Sequence, residues 1–179
     1  NEEKVPKLRI QKDLESVEGA TTDDITVTYR ISATNDGSLK GTTGRLTDTP
    51  DFAPGLNVRS AAVATTLEGL ASAAVQPAAA SYVLTEGADL EPGQSATWYI
   101  RMRVSRDKTA AGYNEVALEC ATQNDRLRPK NGLYNRVSGN YDHDGESNNE
   151  ACAPVRPRPI RIEKAGTQPV GTQNDDGTY

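Results

Sequence analysis

The sequence predicts an all-β protein, an antiparallel β-sandwich, and three observations support this class. Hydrophobic and polar residues alternate along several segments, turn-forming residues separate those segments, and no long helical pattern lies between them. A period of two places successive side chains on opposite faces of a strand, so that one face is buried. Many short strands at this spacing are typical of a sandwich.

The individual elements follow from the same pattern. The clearest strand is predicted over residues 25–34, where Ile25, Val27, Tyr29, Ile31 and Ala33 alternate with polar residues. Further strands are predicted at residues 7–14, 43–48, 56–63, 82–85, 98–105, 116–120, 133–141 and 151–155. Glycine and proline favour chain reversals, which predicts turns at 35–37, 53–55, 91–93 and 144–145. The alanine-rich stretch at 67–80 permits a helical turn, whose length Pro77 limits.

Length and charge narrow the classes of protein. A chain of 179 residues is long enough for one well-cored domain, or for one domain and a fragment of another. The net charge of −5 argues against a nucleic-acid partner, which requires a concentrated basic surface. No apolar run approaches the length of a bilayer span. We therefore expect a monomeric module with no nucleic-acid partner and no membrane insertion in this segment.

An internal repeat indicates the domain organisation. The segment Leu8–Lys12 is echoed by Ile160–Lys164, and each copy is followed by a double aspartate and a tyrosine. Three prolines between residues 154 and 159 are typical of a stiff linker. The predicted division is a domain over 1–155, a linker over 156–159 and the truncated start of the next repeat over 160–179. Chance similarity of two short strands is the alternative.

The chain contains two cysteines, Cys120 and Cys152, separated by about thirty residues. They could form an extracellular disulfide, remain two unrelated buried thiols, or act as a metal or redox pair. His143 is the one histidine in the chain, and two cysteines alone do not complete a zinc site, so the disulfide is favoured. An internal thioester at Cys120 would need a suitably placed glutamine, and Gln123 is too near in sequence.

Five segments carry a resemblance to a known family: VTYRISATNDGS at Val27–Ser38, GRLTDTPDFAPG at Gly44–Gly55, LEPGQSATWYIRMRV at Leu90–Val104, GLYNRV at Gly132–Val137 and NNEACAPV at Asn148–Val155. In this order they resemble the conserved-repeat domain of unknown function in bacterial surface proteins, in its actinobacterial form. That family is similar to the isopeptide-forming domains of Gram-positive pilins. The resemblance covers nearly all of residues 7–155.

The resemblance implies an immunoglobulin-like sandwich attached to a cell wall or cell surface, with neighbouring repeats of the same polypeptide as its contacts. It also implies cysteines at positions 120 and 152 and no activity with turnover.

Lys12, Asp48 and Asn135 are the candidate residues for chemistry. Each shares the strand phase of apolar neighbours, so all three are predicted to point into the core. In a dry core a neutral lysine amine can attack a carboxamide that a carboxylic acid polarises. The resemblance implies a lysine from the first strand and an asparagine from a late one. We predict a Lys12–Asn135 isopeptide bond promoted by Asp48.

Alternatives to this bond stay open. Lys12 could lie in water at a strand end, Asp48 could cap a turn, and Asn135 could bond to a neighbouring backbone. Asn114 is a rival acceptor of the same phase as Val116. Lys164 would be the equivalent nucleophile of the next repeat.

Residues 142–148 concentrate oxygen donors at alternate positions around Gly145. Asp142, Asp144, Glu146 and Asn148 therefore predict a calcium loop, since calcium prefers oxygen ligands. A solvated hairpin tip is the alternative interpretation.

These observations favour a structural stalk or spacer module of a cell-surface adhesin or pilin-like protein. The alternative is an adhesin domain that contacts a host or surface ligand through the loops at 67–80 or 121–131. An enzyme is disfavoured because the sequence has no nucleophile elbow and no phosphate-binding loop. At most, we expect single-turnover self-crosslinking.

Overall fold

The computed structural model describes residues 4–156, which form an all-β fold. Its strands are β1 (Leu8–Glu18), β2 (Asp24–Asn35), β3 (Gly41–Thr42), β4 (Leu46–Pro50), β5 (Leu56–Ala64), β6 (Gln76–Pro77), β7 (Tyr82–Thr85), β8 (Asp89–Leu90), β9 (Ser95–Arg106), β10 (Thr122–Gln123), β11 (Arg126–Leu127), β12 (Asn135–Ser138) and β13 (Glu150–Ala151). Short 3-10 helices occur at Glu68–Ala71 and Glu115–Leu118. Most of the predicted linker and the predicted repeat at 160–179, with Lys164, lie outside the described residues.

Two antiparallel sheets build the sandwich. The larger sheet has the strand order β1-β2-β9-β5-β6, and the smaller has the order β13-β12-β4-β7. Two small pairs, β3-β8 and β10-β11, complete the described strands. The predicted immunoglobulin-like antiparallel β-sandwich is confirmed as a fold class.

The core lies between the sheets and is centred on β2 and β9. The alternating residues of β2, from Ile25 to Ala33, are fully buried. Ile100 and Met102 of β9 lie on the same inner face, and Leu46 of β4 belongs to the same hydrophobic core. Each fully buried aliphatic side chain contributes about 1.5–3 kcal/mol. The period of two in the sequence therefore identified this inner face.

The predicted strand at 116–120 is wrong. These residues form most of the second 3-10 helix, in which Val116 is 80% exposed and Leu118 is buried. The Asn114 side chain caps this helix by accepting a hydrogen bond from the Val116 N–H at 2.9 Å. A local cap of this kind competes with strand formation. The predicted strands at 133–141 and 151–155 are shorter in the structure, as β12 and β13.

The outer edge of β1 is partly covered by the loop that precedes β13. The Ile10 N–H donates to the Asp142 carboxylate at 3.2 Å, and the Lys12 N–H donates to the Asn148 carbonyl at 2.9 Å. The His143 N–H donates to the Leu8 carbonyl at 2.7 Å. The first strand is therefore held on both edges along this part of its length.

Candidate functional site

Lys12 and Asp48 meet across the sandwich. Lys12 lies on β1, at the edge of the larger sheet, and Asp48 lies on β4, inside the smaller sheet. The Lys12 Nζ donates a hydrogen bond to Asp48 Oδ2, and both side chains are fully buried. This ion pair joins the two sheets through the core. It contradicts the interpretation in which Lys12 lies in water and Asp48 caps a turn.

Asn135 lies beside Asp48 on the inner face of the smaller sheet. In the pairing of β12 with β4, Val137 is opposite Asp48, which makes Asn135 a diagonal neighbour of Asp48. The Asn135 Nδ2 lies 3.9 Å from the Met102 Sδ in the other sheet. The Asn135 Oδ1 and the Asp48 Oδ1 are buried without a hydrogen-bond partner among the described residues. An unmatched buried acceptor costs about 1–3 kcal/mol, so these two oxygens make the cluster costly for the folded protein.

Tyr29 completes the cluster. The Lys12 Nζ lies 4.6 Å from the centroid of the Tyr29 ring, a cation–π distance. The Tyr29 hydroxyl donates to the backbone carbonyl of Leu133, two residues before Asn135. The sequence assigned Tyr29 to the core but gave it no part in the site. One feature of the sequence could have pointed to this role: Tyr29 places a hydroxyl group on an otherwise aliphatic strand face, and a buried Tyr hydroxyl needs a hydrogen-bond partner.

Burial determines the protonation behaviour of the cluster. Desolvation lowers the pKa of Lys12, although the charge and hydrogen bond of Asp48 oppose this shift. Desolvation, together with the charge of Asp48, raises the pKa of Tyr29 well above its ordinary value. The Lys12 amine is therefore closer to its neutral, nucleophilic form than an exposed lysine, while the Tyr29 hydroxyl keeps its proton.

The rival acceptor Asn114 lies away from this cluster. Its side chain is exposed and caps the second 3-10 helix. The structure therefore brings Asn135, and not Asn114, to the Lys12–Asp48 pair.

Cys120 and Cys152 form a disulfide with a Cα–Cα separation of 6.0 Å. The predicted pairing is present, and it excludes a thioester at Cys120. Gly132 lies against this bond: a Cβ atom there would be 3.0 Å from the Cys152 Sγ and 2.6 Å from the Ala153 carbonyl oxygen. Its φ of +47° is also in the left-handed region that favours glycine. The absence of a side chain at Gly132 therefore provides the space that the disulfide needs.

The acidic loop forms a separate polar cluster. Asp142 accepts hydrogen bonds from the Ile10 N–H and the Asn149 side-chain amide. Burial and a hydrogen bond with Asp144 raise the pKa of Asp142 to about 6. Asn148 Nδ2 donates to Asp144 at 3.0 Å.

Glu146, by contrast, accepts the Asn149 N–H with its backbone carbonyl. Across residues 4–156, no group of three or more His, Cys, Asp or Glu side chains is arranged to hold a metal ion. The predicted set of calcium ligands, which includes Glu146, stays a prediction.

An open cleft of about 720 Å³ lies beside the acidic loop, and its lining includes Leu8, Lys40, Asp89, Tyr141 and Asp142. The cleft includes neither of the loops predicted to contact a ligand, at 67–80 and 121–131. Ligand binding through those loops stays a prediction. No helix in the described part of the chain has the length and apolar character to cross a membrane.

The fold and the cluster define an all-β sandwich with a buried ion pair in its core and a disulfide. The chain matches no family model and no curated protein. A solved structure, the "CBM3a-L domain with flanking linkers from scaffoldin cipA of cellulosome of Clostridium thermocellum", is similar over 79% of this chain and 88% of its own. The identity is 13% and the TM-score is 0.31, a likeness too distant to carry an argument about this chain.

Proposed function

We propose that this chain is a structural spacer module of a bacterial cell-surface adhesin or pilin-like protein. Its sandwich is fastened by a Lys12–Asn135 isopeptide bond in addition to the Cys120–Cys152 disulfide. The observation that carries this proposal is the buried Lys12–Asp48 pair beside the unmatched amide oxygen of Asn135.

Lys12, Asp48 and Asn135 supply all the groups that formation of the isopeptide bond requires. A proton passes from the Lys12 ammonium to the Asp48 carboxylate, which gives a neutral amine and a carboxylic acid. The acid donates a hydrogen bond to the Asn135 Oδ1, and the Lys12 Nζ attacks the Asn135 Cγ. A new C–N bond forms as the bond from Cγ to Nδ2 breaks. The attacking nitrogen gives up one of its two protons to the departing Nδ2, which leaves as ammonia. This ammonia takes up the proton from Asp48 as ammonium and restores the carboxylate.

The positions of the bonded residues favour a mechanical role. Lys12 belongs to the first strand and Asn135 to a late strand of the opposite sheet. A covalent bond between them would transmit a pulling force across the sandwich without loading the β2–β9 hydrogen bonds. The disulfide adds a second bond close to the end of the described chain. A spacer that keeps its length under tension benefits from both bonds.

Intact mass of the denatured protein tests the proposal. We expect the mass to fall below the sequence value by one ammonia, and by two further hydrogens without reductant. Peptide mapping should recover the segments containing Lys12 and Asn135 as one species.

Asp48→Asn should abolish the ammonia loss. Asp13→Asn is the matched control, since Asp13 lies next to Lys12 in sequence and pairs with Arg30 on the surface. The control should retain the ammonia loss. A folded wild-type protein with the unmodified mass would overturn the proposal, as would an ammonia loss that persists in Asp48→Asn.

A further inference from the structure

Tyr29 lies between the two halves of the proposed crosslink. It belongs to β2 in the larger sheet and is fully buried. The pairing of β1 with β2 places Leu14 opposite Tyr29, so that Lys12, two residues earlier, is a diagonal neighbour of Tyr29 on the inner face. The Lys12 Nζ lies 4.6 Å from the centroid of the Tyr29 ring. The ring is therefore part of the wall against which the amine packs.

The hydroxyl group of Tyr29 reaches towards the other sheet. It donates a hydrogen bond to the Leu133 carbonyl, two residues before Asn135. The pairing of β12 with β4 fixes Asn135 relative to Asp48, because both strands belong to the smaller sheet. That pairing does not fix Asn135 relative to Lys12, which lies in the larger sheet. Tyr29 links the two, since its ring contacts the amine and its hydroxyl holds the segment that leads into β12.

We infer that Tyr29 is a positioning residue for the formation of the Lys12–Asn135 bond. This role rests on the proposed function, since it concerns the same bond. Attack on a carboxamide requires the reacting atoms to lie about 3–3.5 Å apart, and a displacement of about 1 Å can slow such a step about a hundredfold. Tyr29 restricts the offset between the two sheets, and it thereby holds the Lys12 Nζ against the Asn135 Cγ.

The Tyr29 hydroxyl takes no part in the proton transfers of the proposed reaction. Its proton is committed to the Leu133 carbonyl, and burial together with the charge of Asp48 raises the pKa of Tyr29 well above its ordinary value. The groups that exchange protons are Lys12 and Asp48, whose side chains share a hydrogen bond. Tyr29 therefore affects the rate through geometry, and the pH dependence of the rate is set by Lys12 and Asp48.

Cell-free synthesis of the whole chain allows the rate of bond formation to be measured. Translation is stopped with an inhibitor, samples are denatured at successive times, and intact mass gives the fraction that has lost one ammonia. Limited proteolysis of parallel samples gives the folded fraction. Tyr29→Phe keeps the ring beside Lys12 and removes only the hydroxyl, so ammonia loss from the folded protein should slow by about ten- to a hundredfold. The pH dependence of the rate should stay that of the wild type.

Tyr82→Phe is the matched control. Tyr82 is also buried, and it lies opposite Asp48 in the pairing of β7 with β4. Its hydroxyl donates to the Pro77 carbonyl and accepts from the Ala79 N–H. The control therefore loses a comparable hydroxyl contact without a change between the amine and the acceptor strand. It should form the bond at the wild-type rate.

Replacement of Tyr29 by 4-aminophenylalanine returns a donor to the same position and should restore most of the rate. A folded Tyr29→Phe protein that reacts as fast as Tyr82→Phe would overturn the role of Tyr29 and leave the crosslink itself intact. If Tyr29→Phe does not fold, the 4-aminophenylalanine variant decides: a reaction much slower than that of Tyr82→Phe contradicts the role. A folded wild type that never loses ammonia would overturn the proposed function and the role of Tyr29 together.

Discussion

Removing the disulfide tests how much of the stability depends on constraint of the unfolded chain. Cys120 and Cys152 are 32 residues apart in sequence. The chain-entropy relation for a loop of this length gives about 3.7 kcal/mol at 25 °C. Both cysteines are half-buried, so replacing them with alanine adds little packing loss. The Cys120→Ala/Cys152→Ala variant should therefore be about 3–4 kcal/mol less stable than the oxidised wild type.

The predicted isopeptide bond would leave this value almost unchanged. Asn135 lies within the loop that the disulfide closes. A covalent link from Asn135 to Lys12 would not shorten this loop, because the chain between the two cysteines would still span 32 residues. The two crosslinks therefore constrain different loops. Their contributions to the free energy of unfolding should add approximately.

Equilibrium urea unfolding measures the effect. The reduced wild type should match the double alanine variant, and the dependence of the free energy on urea should steepen because the unfolded chain expands. A loss of less than about 1 kcal/mol would refute the reasoning from loop entropy. A double variant much less stable than the reduced wild type would instead show that the native packing of the cysteines is the larger effect.

Three further changes test the cluster and the disulfide. Tyr29→Phe leaves the buried Leu133 carbonyl without its donor and should cost about 1–3 kcal/mol in urea unfolding; an unchanged midpoint would contradict that bond's role. In Asp48→Asn, burial should keep the pKa of Lys12 below its ordinary value of 10.5, so the unfolded chain binds more protons. Stability should then rise with pH towards 10.5, by up to about 1.4 kcal/mol per unit, whereas Lys12→Met/Asp48→Asn should lack this slope. Gly132→Ala should be destabilised by more than about 1 kcal/mol, since its Cβ meets backbone and sulfur and its φ is positive; wild-type stability would argue against that crowding.

Strand periodicity predicted much of the fold because it extends over long segments. β2 and β9 each span 12 residues, so the apolar face repeats often enough to be identified. The same phase predicted that Lys12, Asp48 and Asn135 point inwards, and all three are buried. The strand phase alone could not predict the distances between these side chains, because the three residues lie on three strands of two sheets.

Short segments and long-range contacts account for the remaining differences between the predicted and the observed structure. Three alternating apolar residues at 116–120 fit a strand or a single helical turn, and the cap from Asn114 decides for the turn. The contacts of Tyr29 with Leu133 and of Asn135 with Met102 join residues far apart in sequence. Nothing local in the sequence marks such contacts, since they depend on the packing of one sheet against the other.

The buried cluster of Lys12, Asp48 and Asn135 is costly for the folded protein, which argues that the proposed reaction would follow folding. Taking Lys12 and Asp48 out of water costs several kcal/mol per ion, and their attraction only partly offsets this. Two oxygens of the cluster also lack partners. The proposed isopeptide bond would remove the charge of Lys12 and would give the Asp48 carboxylate the N–H of the new amide as a hydrogen-bond donor. The hydrophobic core of β2 and β9 would therefore have to bring the three residues together first, and the proposed bond would then stabilise an arrangement that packing alone holds at a cost.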